Sequence, residues 1–284
     1  MLHQRIFTRA RRLIPPTGFR AVQGQLRGRN GIEVGGPSAV FRRWHLWPLY
    51  PVVGALDSFN FATETIWSRP ETAVCGLNGV TPRTPPGRDL VGEASEMTEI
   101  PSSAYDFLLA SHVLEHVANP MKALHNWTRV VKPGGILVLI VPHRDGTFDH
   151  RRPITPLEHI LSDFKKDIGE GDETHLSEIF ELHDLNRDPG AGERAAFVER
   201  ARNNIKHRSL HHHVFVTELA LRLVDKAGLR IRYLDLELPY HICVVCSSPT
   251  TAPAPRDDST ENARYLSPLA DWRRTSPFRS DRNP

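Results

Sequence analysis

The chain has 284 residues, 39% of them hydrophobic and 8% aromatic, enough for one large α/β domain with insertions. A formal net charge of +3 supplies no global field for nucleic acid, and no apolar stretch reaches membrane-spanning length. Three cysteines, Cys75, Cys243 and Cys246, make no disulfide framework; the last two lie in an apolar strand-like run that puts them on opposite faces, where packing outweighs a metal or redox role.

Met1–Arg29 carries seven arginines and no acidic residue. It is expected to be a basic arm outside the domain: a solvated leader, a segment touching an anionic surface, or a transit peptide. No apolar core follows its charges, so a secretory signal is not expected. Gly31–Ser38 (GIEVGGPS) is a short apolar strand with an acidic residue, Glu33, running into a Gly35-Gly36 turn where glycine lets backbone approach a ligand closely. Pro37 has no N–H and makes the turn unusual. A second strand is expected to end near Leu56, placing Asp57 at its carboxyl end, where an acidic residue about 20 positions after a glycine turn holds ribose hydroxyls. Thr81–Arg88 is a loop by composition, and Asp89–Ala94 an edge-like third strand.

Tyr105–His143, YDFLLASHVLEHVANPMKALHNWTRVVKPGGILVLIVPH, organises the chain. Phe107–Ala110 and Ile136–Val141 are continuous apolar runs, as buried parallel strands require. Between them Asn119 caps a helix, Pro120 takes its first position, Met121, Leu124, Trp127 and Val131 repeat at helical spacing, and Pro133-Gly134-Gly135 stops it. The unit is a right-handed β-α-β crossover. Ser111 and His112 lie just past its first strand, at the carboxyl edge where such sheets bind ligands.

Downstream, Thr155-Pro156 with Glu158 reads as a capping box opening a helix through Phe164. Further helices are expected at Leu176–Leu182 and Glu193–Lys206. Together they form a cap of about 65 residues, 148–212. Thr217–Ala227 is a helix with a Thr cap, and Leu229–Leu236 and His241–Ser247 are strands. From Pro249 the chain is rich in Pro, Ser, Thr, Asp and Arg, and a disordered tail is expected over 249–284.

The stretch from Tyr105 to Leu124 with Val130–His143 resembles the middle of a class I S-adenosylmethionine-dependent methyltransferase of the type 11 group. Its "LEHV" loop and KPGG turn carry the likeness, which spans roughly residues 30–247. The resemblance implies a Rossmann-like, seven-stranded, mostly parallel, doubly wound α/β sheet with a helical insertion after strand five. It implies S-adenosylmethionine as cofactor: Glu33, Gly35 and Gly36 at its methionine end, Asp57 at the ribose, Glu93 and Ala94 at the adenine, Ser111 alongside. Pro37 departs from the family's glycine.

Fifteen histidines are many for this length, and they cluster. Methyl transfer to a hydroxyl is helped by a base titrating near neutrality, which suits histidine. His143 is the first candidate, with His150 and His112 behind it. Arg151, Arg152 and His183 are candidates to hold the acceptor, since guanidinium suits carboxylate or phosphate. The expected protein is thus a cytoplasmic methyltransferase for a small-molecule acceptor, such as the hydroxyl of a sugar or other metabolite, with no nucleic-acid partner and no resident metal. Two other classes stay open: a non-catalytic ligand-binding or regulatory protein on this fold, favoured by Pro37, and a metal-dependent enzyme built on the His/Asp cluster. In the run His211-His212-His213 at most one or two side chains can share one ligand set.

Overall fold

The computed structural model describes residues 17–65, 85–188, 190–250 and 262–282. Seven strands form one sheet: β1 (Asn30–Val34), β2 (Ala55–Asn60), β3 (Asp89–Val91), β4 (Tyr105–Ser111), β5 (Val131–Pro142), β6 (Arg230–Glu237) and β7 (His241–Ser247). Their spatial order is β3-β2-β1-β4-β5-β7-β6. The first five are parallel, and β7 runs antiparallel to both β5 and β6. The order reverses between β1 and β4, creating the crevice at the carboxyl edge where open α/β sheets take ligands.

Side-chain alternation divides the core into two layers. Ile32, Val34, Leu108, Ala110, Leu137 and Leu139 pack under the helices that follow β4 and the cap. Phe107, Leu109, Ile136, Val138 and Ile140 face the other way. Cys246 belongs to the first layer and Cys243 to the second, and both are buried free thiols.

Helix α1 (Thr17–Leu26) covers the second face with Phe19, Val22 and Leu26, and Gly18 N–H donates to Asp235 Oδ2 at 3.0 Å. The domain therefore begins at least 13 residues before the expected boundary at 30. Apolar residues at helical spacing pull this part of the basic stretch onto the sheet while Arg20, Arg27 and Arg29 stay exposed. The rest of the arm, 1–16, lies outside the described residues, as does 81–84 of the expected loop.

Helix α2 (Pro120–Val130) forms as its capping sequence requires: Asn119 Oδ1 accepts Lys122 N–H at 3.1 Å, and Pro120 sits in the first turn. The cap contains α3 (Leu157–Lys165), α4 (Leu176–Leu182), α5 (Arg194–Arg202) and α6 (Asn204–His207) around a small apolar cluster of Ile179, Ala191, Phe197, Ala201 and Leu210. Thr155 is not a capping residue: Pro156 is the N-cap of α3, and Thr155 Oγ1 instead accepts Val214 N–H at 2.9 Å. Nor does Thr217 cap helix α7 (Thr217–Lys226): Val216 takes the N-cap position, and Thr217 Oγ1 donates to Asp281.

The expected disordered tail is corrected over 262–282. Three short helices, α8 (Ala263–Leu266), α9 (Asp271–Thr275) and α10 (Arg279–Arg282), lie on the domain with Phe278 and Asp281 buried. Residues 251–261 lie outside the described residues. No described helix is long and apolar enough to cross a membrane.

Candidate functional site

The turn after β1 is shaped by what surrounds it. Gly35 has φ +72°, and a Cβ there would come 2.3 Å from Val113 Cγ2 in the loop after β4. Only glycine satisfies both the left-handed backbone and that approach. The Gly36–Pro37 peptide is cis. Glu33, 1% exposed, braces the turn: Oε1 accepts Ser38 N–H at 2.9 Å and Oε2 accepts the Tyr50 hydroxyl at 2.6 Å. Burial, with Glu33 beside it, pushes the Tyr50 phenol well up.

Asp57 lies elsewhere than the sequence places it. Strand β2 runs to Asn60, so Asp57 sits at mid-strand opposite Ile32. Its carboxylate accepts from Arg88 N–H, Arg88 Nη2 and the Tyr105 hydroxyl, each at 2.7 Å, toward the start of β4. Burial works to raise its pKa, but the hydrogen bonds from Arg88 and Tyr105 carry it below the ordinary value. Asn60 takes the carboxyl-end position instead, and its Nδ2 donates to Gly36 O at 2.7 Å. Glu93 pairs with Arg208 of the cap at 2.8 Å, and Ala94 O accepts from Trp127 Nε1 at 2.9 Å.

At the carboxyl edge the glycine turn, Asn60 and Ser111 flank the β1/β4 crevice, with Glu93 beyond the end of β3. This is an acceptor-rich, polar set of the kind a nucleoside with a charged amino-acid tail requires, and in that respect S-adenosylmethionine fits. Pro37 has no N–H and that of Ser38 is held by Glu33, so an anion is not bound at this turn through those two amides.

The polar candidates of the cap do not converge. His143 is 0% exposed, stacked on Phe278 at 3.9 Å, with Nε2 3.2 Å from Asp281 Oδ1; it anchors the C-terminal segment. His150 Nε2 and Arg151 Nη2 both meet Asp184 Oδ2, at 2.9 and 3.1 Å. Arg152, 1% exposed, donates to Asp149, Glu178 and the His211 carbonyl. His183 stacks on Phe148, with Nε2 3.2 Å from Asp188 Oδ2. His150, Arg187, Phe278 and Arg279 line an open depression of ≈ 690 Å³, and none of Gly35, Asn60, Ser111 or His112 lines it.

His112 is different. It follows β4 directly with φ +55°, a left-handed conformation uncommon for a non-glycine residue and typical of strained functional positions. Its Nδ1 stands 3.4 Å from Glu115 Oε1, its Nε2 is 3.0 Å from His241 Nδ1, and its side chain is 27% exposed. Glu115, absent from the sequence reading, is the hub. It is fully buried, and His116 Nε2 and His211 Nε2 approach Oε1 at 3.9 and 4.0 Å. Neither of its oxygens has a well-formed hydrogen bond among the described residues. Burial works to raise its pKa, yet the contact with His112 and the surrounding imidazoles hold it below the ordinary value.

The flanking imidazoles are fixed from behind. His116 Nδ1 meets the Leu210 carbonyl at 2.9 Å, and His211 Nδ1 meets Asp149 Oδ2 at 2.5 Å. Burial, then His211, pushes His116 down to about 4. Burial opposes charge on His211, but Asp149 raises it, while Asp149 itself lies at about 2 despite burial because His211 and Arg152 face it. The "LEH" triplet was the one sequence signal available for this hub; its partners come from 90 or more residues downstream.

Two groups of side chains bring metal-ligand atoms within 4.8 Å of one another: Glu115, His116 and His211; and His159, Asp163, His175 and His213. The histidine run is divided as expected, His211 going to the first group and His213 to the second.

Residues 77–139 match the family described as "Methyltransferase domain". Solved structures of similar shape include a SAM-dependent methyltransferase from Aquifex aeolicus, 14% identical, covering 84% of this chain and 92% of its own, with a TM-score of 0.45. Another, from Methanosarcina mazei, is 14% identical, covers 81% and 98%, and has a TM-score of 0.47. Among curated proteins none matches.

Proposed function

We propose that the chain is a class I S-adenosylmethionine-dependent methyltransferase of the type 11 group, and that its acceptor is a hydroxyl group of a small molecule, deprotonated at His112. The observation that carries this reading is the His112–Glu115 pair at the carboxyl edge of β4. A buried carboxylate beside Nδ1 favours the tautomer with hydrogen on Nδ1, leaving the Nε2 lone pair as base. In the absence of acceptor, His241 Nδ1 faces that nitrogen at 3.0 Å. A hydroxyl arriving there would replace His241 as partner.

Bound S-adenosylmethionine supplies a methyl group on a sulfonium, which leaves as a neutral thioether. Methyl transfer to the acceptor oxygen would break the carbon–sulfur bond, and His112 Nε2 would take the hydroxyl proton. Glu115 acts through His112: it orients the ring and stabilises the imidazolium that forms. Positioning of oxygen and methyl carbon supplies much of the remaining rate.

Calorimetric titration with S-adenosylmethionine and S-adenosylhomocysteine, followed by transfer of labelled methyl to a panel of hydroxyl compounds, tests this. Saturable binding of both is expected, with His112→Ala binding normally but turning over about 10²–10⁴-fold more slowly. A folded protein that binds neither would remove the catalytic reading in favour of a regulatory protein on this fold. A His112→Ala variant of undiminished rate would remove His112 as base.

A further inference from the structure

The second histidine group lies outside the site just described. We propose that His159, Asp163, His175 and His213 bind one divalent transition-metal ion, zinc or a borderline ion of similar preference, which pins the cap to the domain.

His159 and Asp163 stand four residues apart on α3 and so share one face of the helix. His175 comes from the N-cap position of α4, and His213 from the segment leading into α7. His159 Nε2 lies 3.1 Å from Asp163 Oδ2 and 3.2 Å from His175 Nε2. Tetrahedral ligands at about 2.0–2.1 Å from zinc lie roughly 3.3–3.4 Å apart, so these two pairs stand near the required separation, and all four ligand atoms lie within 4.8 Å of one another. Three imidazoles and one carboxylate form a closed four-ligand set of borderline donors, which suits zinc better than calcium or magnesium.

His213 supplies the independent observation. It is 1% exposed; its Nε2 is held by the Ala118 carbonyl at 3.1 Å, and its Nδ1 is buried with no hydrogen-bond partner. A backbone carbonyl holding one imidazole nitrogen is the usual way a metal-binding histidine is oriented, with the lone pair of the other nitrogen turned to the ion. Without an ion, that lone pair is a buried acceptor left unmade. Burial also holds His213 and His175 below the ordinary histidine range, in the neutral form that coordinates.

The consequence is mechanical. The ion would join three segments, α3, the start of α4 and 211–216, and, through the Ala118 carbonyl, the loop leading into α2. That would fix the cap above the carboxyl edge without touching Gly35, Asn60 or His112.

The test uses the full-length protein, stripped with chelator and titrated with Co²⁺ and Zn²⁺. One equivalent of Co²⁺ with the intense visible bands of a tetrahedral site is expected, displaced by Zn²⁺, together with a higher melting temperature. His159→Ala, at a partly exposed position that tolerates truncation, should weaken affinity on the order of 100-fold, and Asp163→Asn should do the same. If a second equivalent binds at Glu115, it should survive both variants. A folded wild type that binds neither ion, or binding untouched by both variants, would overturn the proposal. Metal content is read directly, so failure of the methyl-transfer reading would leave this result standing.

Discussion

Trp127 and Arg152 are both almost wholly buried, and they belong to regions held together in different ways. Trp127 lies in a layer made of aliphatic and aromatic side chains, with its one polar atom given to Ala94 O. Arg152 lies where the cap meets the sheet, among Asp149, Glu178 and the His211 carbonyl. Around it the cap is fastened by Arg208 to Glu93 and by Lys122 to Asp167, beside the apolar contact that Leu157 and Ile160 make with the main layer. Apolar burial is indifferent to pH and nearly so to ions; a polar seam is sensitive to both. The sheet is therefore the rigid half, and the cap the half whose docking conditions can modulate.

The largest effects separate the two halves. Trp127→Ala should cost about 3–5 kcal/mol from the cavity it leaves, and urea denaturation should show the loss in one transition of the whole domain. Arg152→Ala leaves Asp149 without its buried guanidinium partner, and breaking such a pair costs about 3–5 kcal/mol. Here the loss should fall on the cap alone. Hydrogen exchange across 148–212 should accelerate while β4 and β5 stay protected; equal acceleration in the strands would show that sheet and cap unfold as one unit.

A smaller effect concerns the C-terminal segment, which resembles the cap in being fastened by polar groups. Asp281 accepts from both Thr217 N–H and Oγ1 and from Ser276 Oγ, and it faces His143 Nε2. Asp281→Ala should cost about 1–3 kcal/mol by leaving those donors unmade. Limited proteolysis should then release 262–282 while the sheet remains intact. Unchanged cleavage would place the attachment in the Phe278–His143 stack instead.

Legibility in the sequence follows the same division. Strand β7 and helix α4 have the bounds their apolar runs predict, and the β4-α2-β5 unit is right to within a few residues except where β5 reaches back to Val131. These elements are set by local pattern and buried by local neighbours. Asp57 was misplaced because β2 carries polar residues at mid-strand, where Asp57 serves Arg88 and Tyr105 and hides the strand's true end at Asn60. His143 looked catalytic because its position after β5 is right, but its partner is 138 residues away in a segment with no periodicity to read. Glu115 could not be valued from sequence, since its importance lies in what the fold brings to it: His211 from the end of the cap and, behind His112, His241 from β7.

The subtlest way to sharpen the contrast is pH, in the metal-free protein, because the seam carries groups shifted in both directions. Burial raises Glu170 to about 7; Arg208 Nη1 lies 2.6 Å from Oε2, but neither that nitrogen nor any other described donor makes a well-formed hydrogen bond to it. A carboxyl raised in the folded state contributes stability that is full below its unfolded value of about 4.5 and is lost as pH rises through about 7, at up to roughly 1.4 kcal/mol per unit between them. His116 at about 4 and His212 and His241 at about 3 act oppositely, each lowered chiefly by burial. Neutral in the folded state and charged in the unfolded one, they stabilise above pH 6.5, and that contribution declines as pH falls toward 3–4. Between about pH 4.5 and 6.5 the histidine gain outruns the Glu170 loss, so cap docking should tighten as pH rises from about 4 and level off above about 7. Glu170→Gln should steepen the rise between about pH 4.5 and 7, read as hydrogen-exchange protection of 148–212 corrected for intrinsic rates. If the variant and the wild type rise equally, Arg208 already compensates Glu170, and the seam's pH response belongs to the histidines alone.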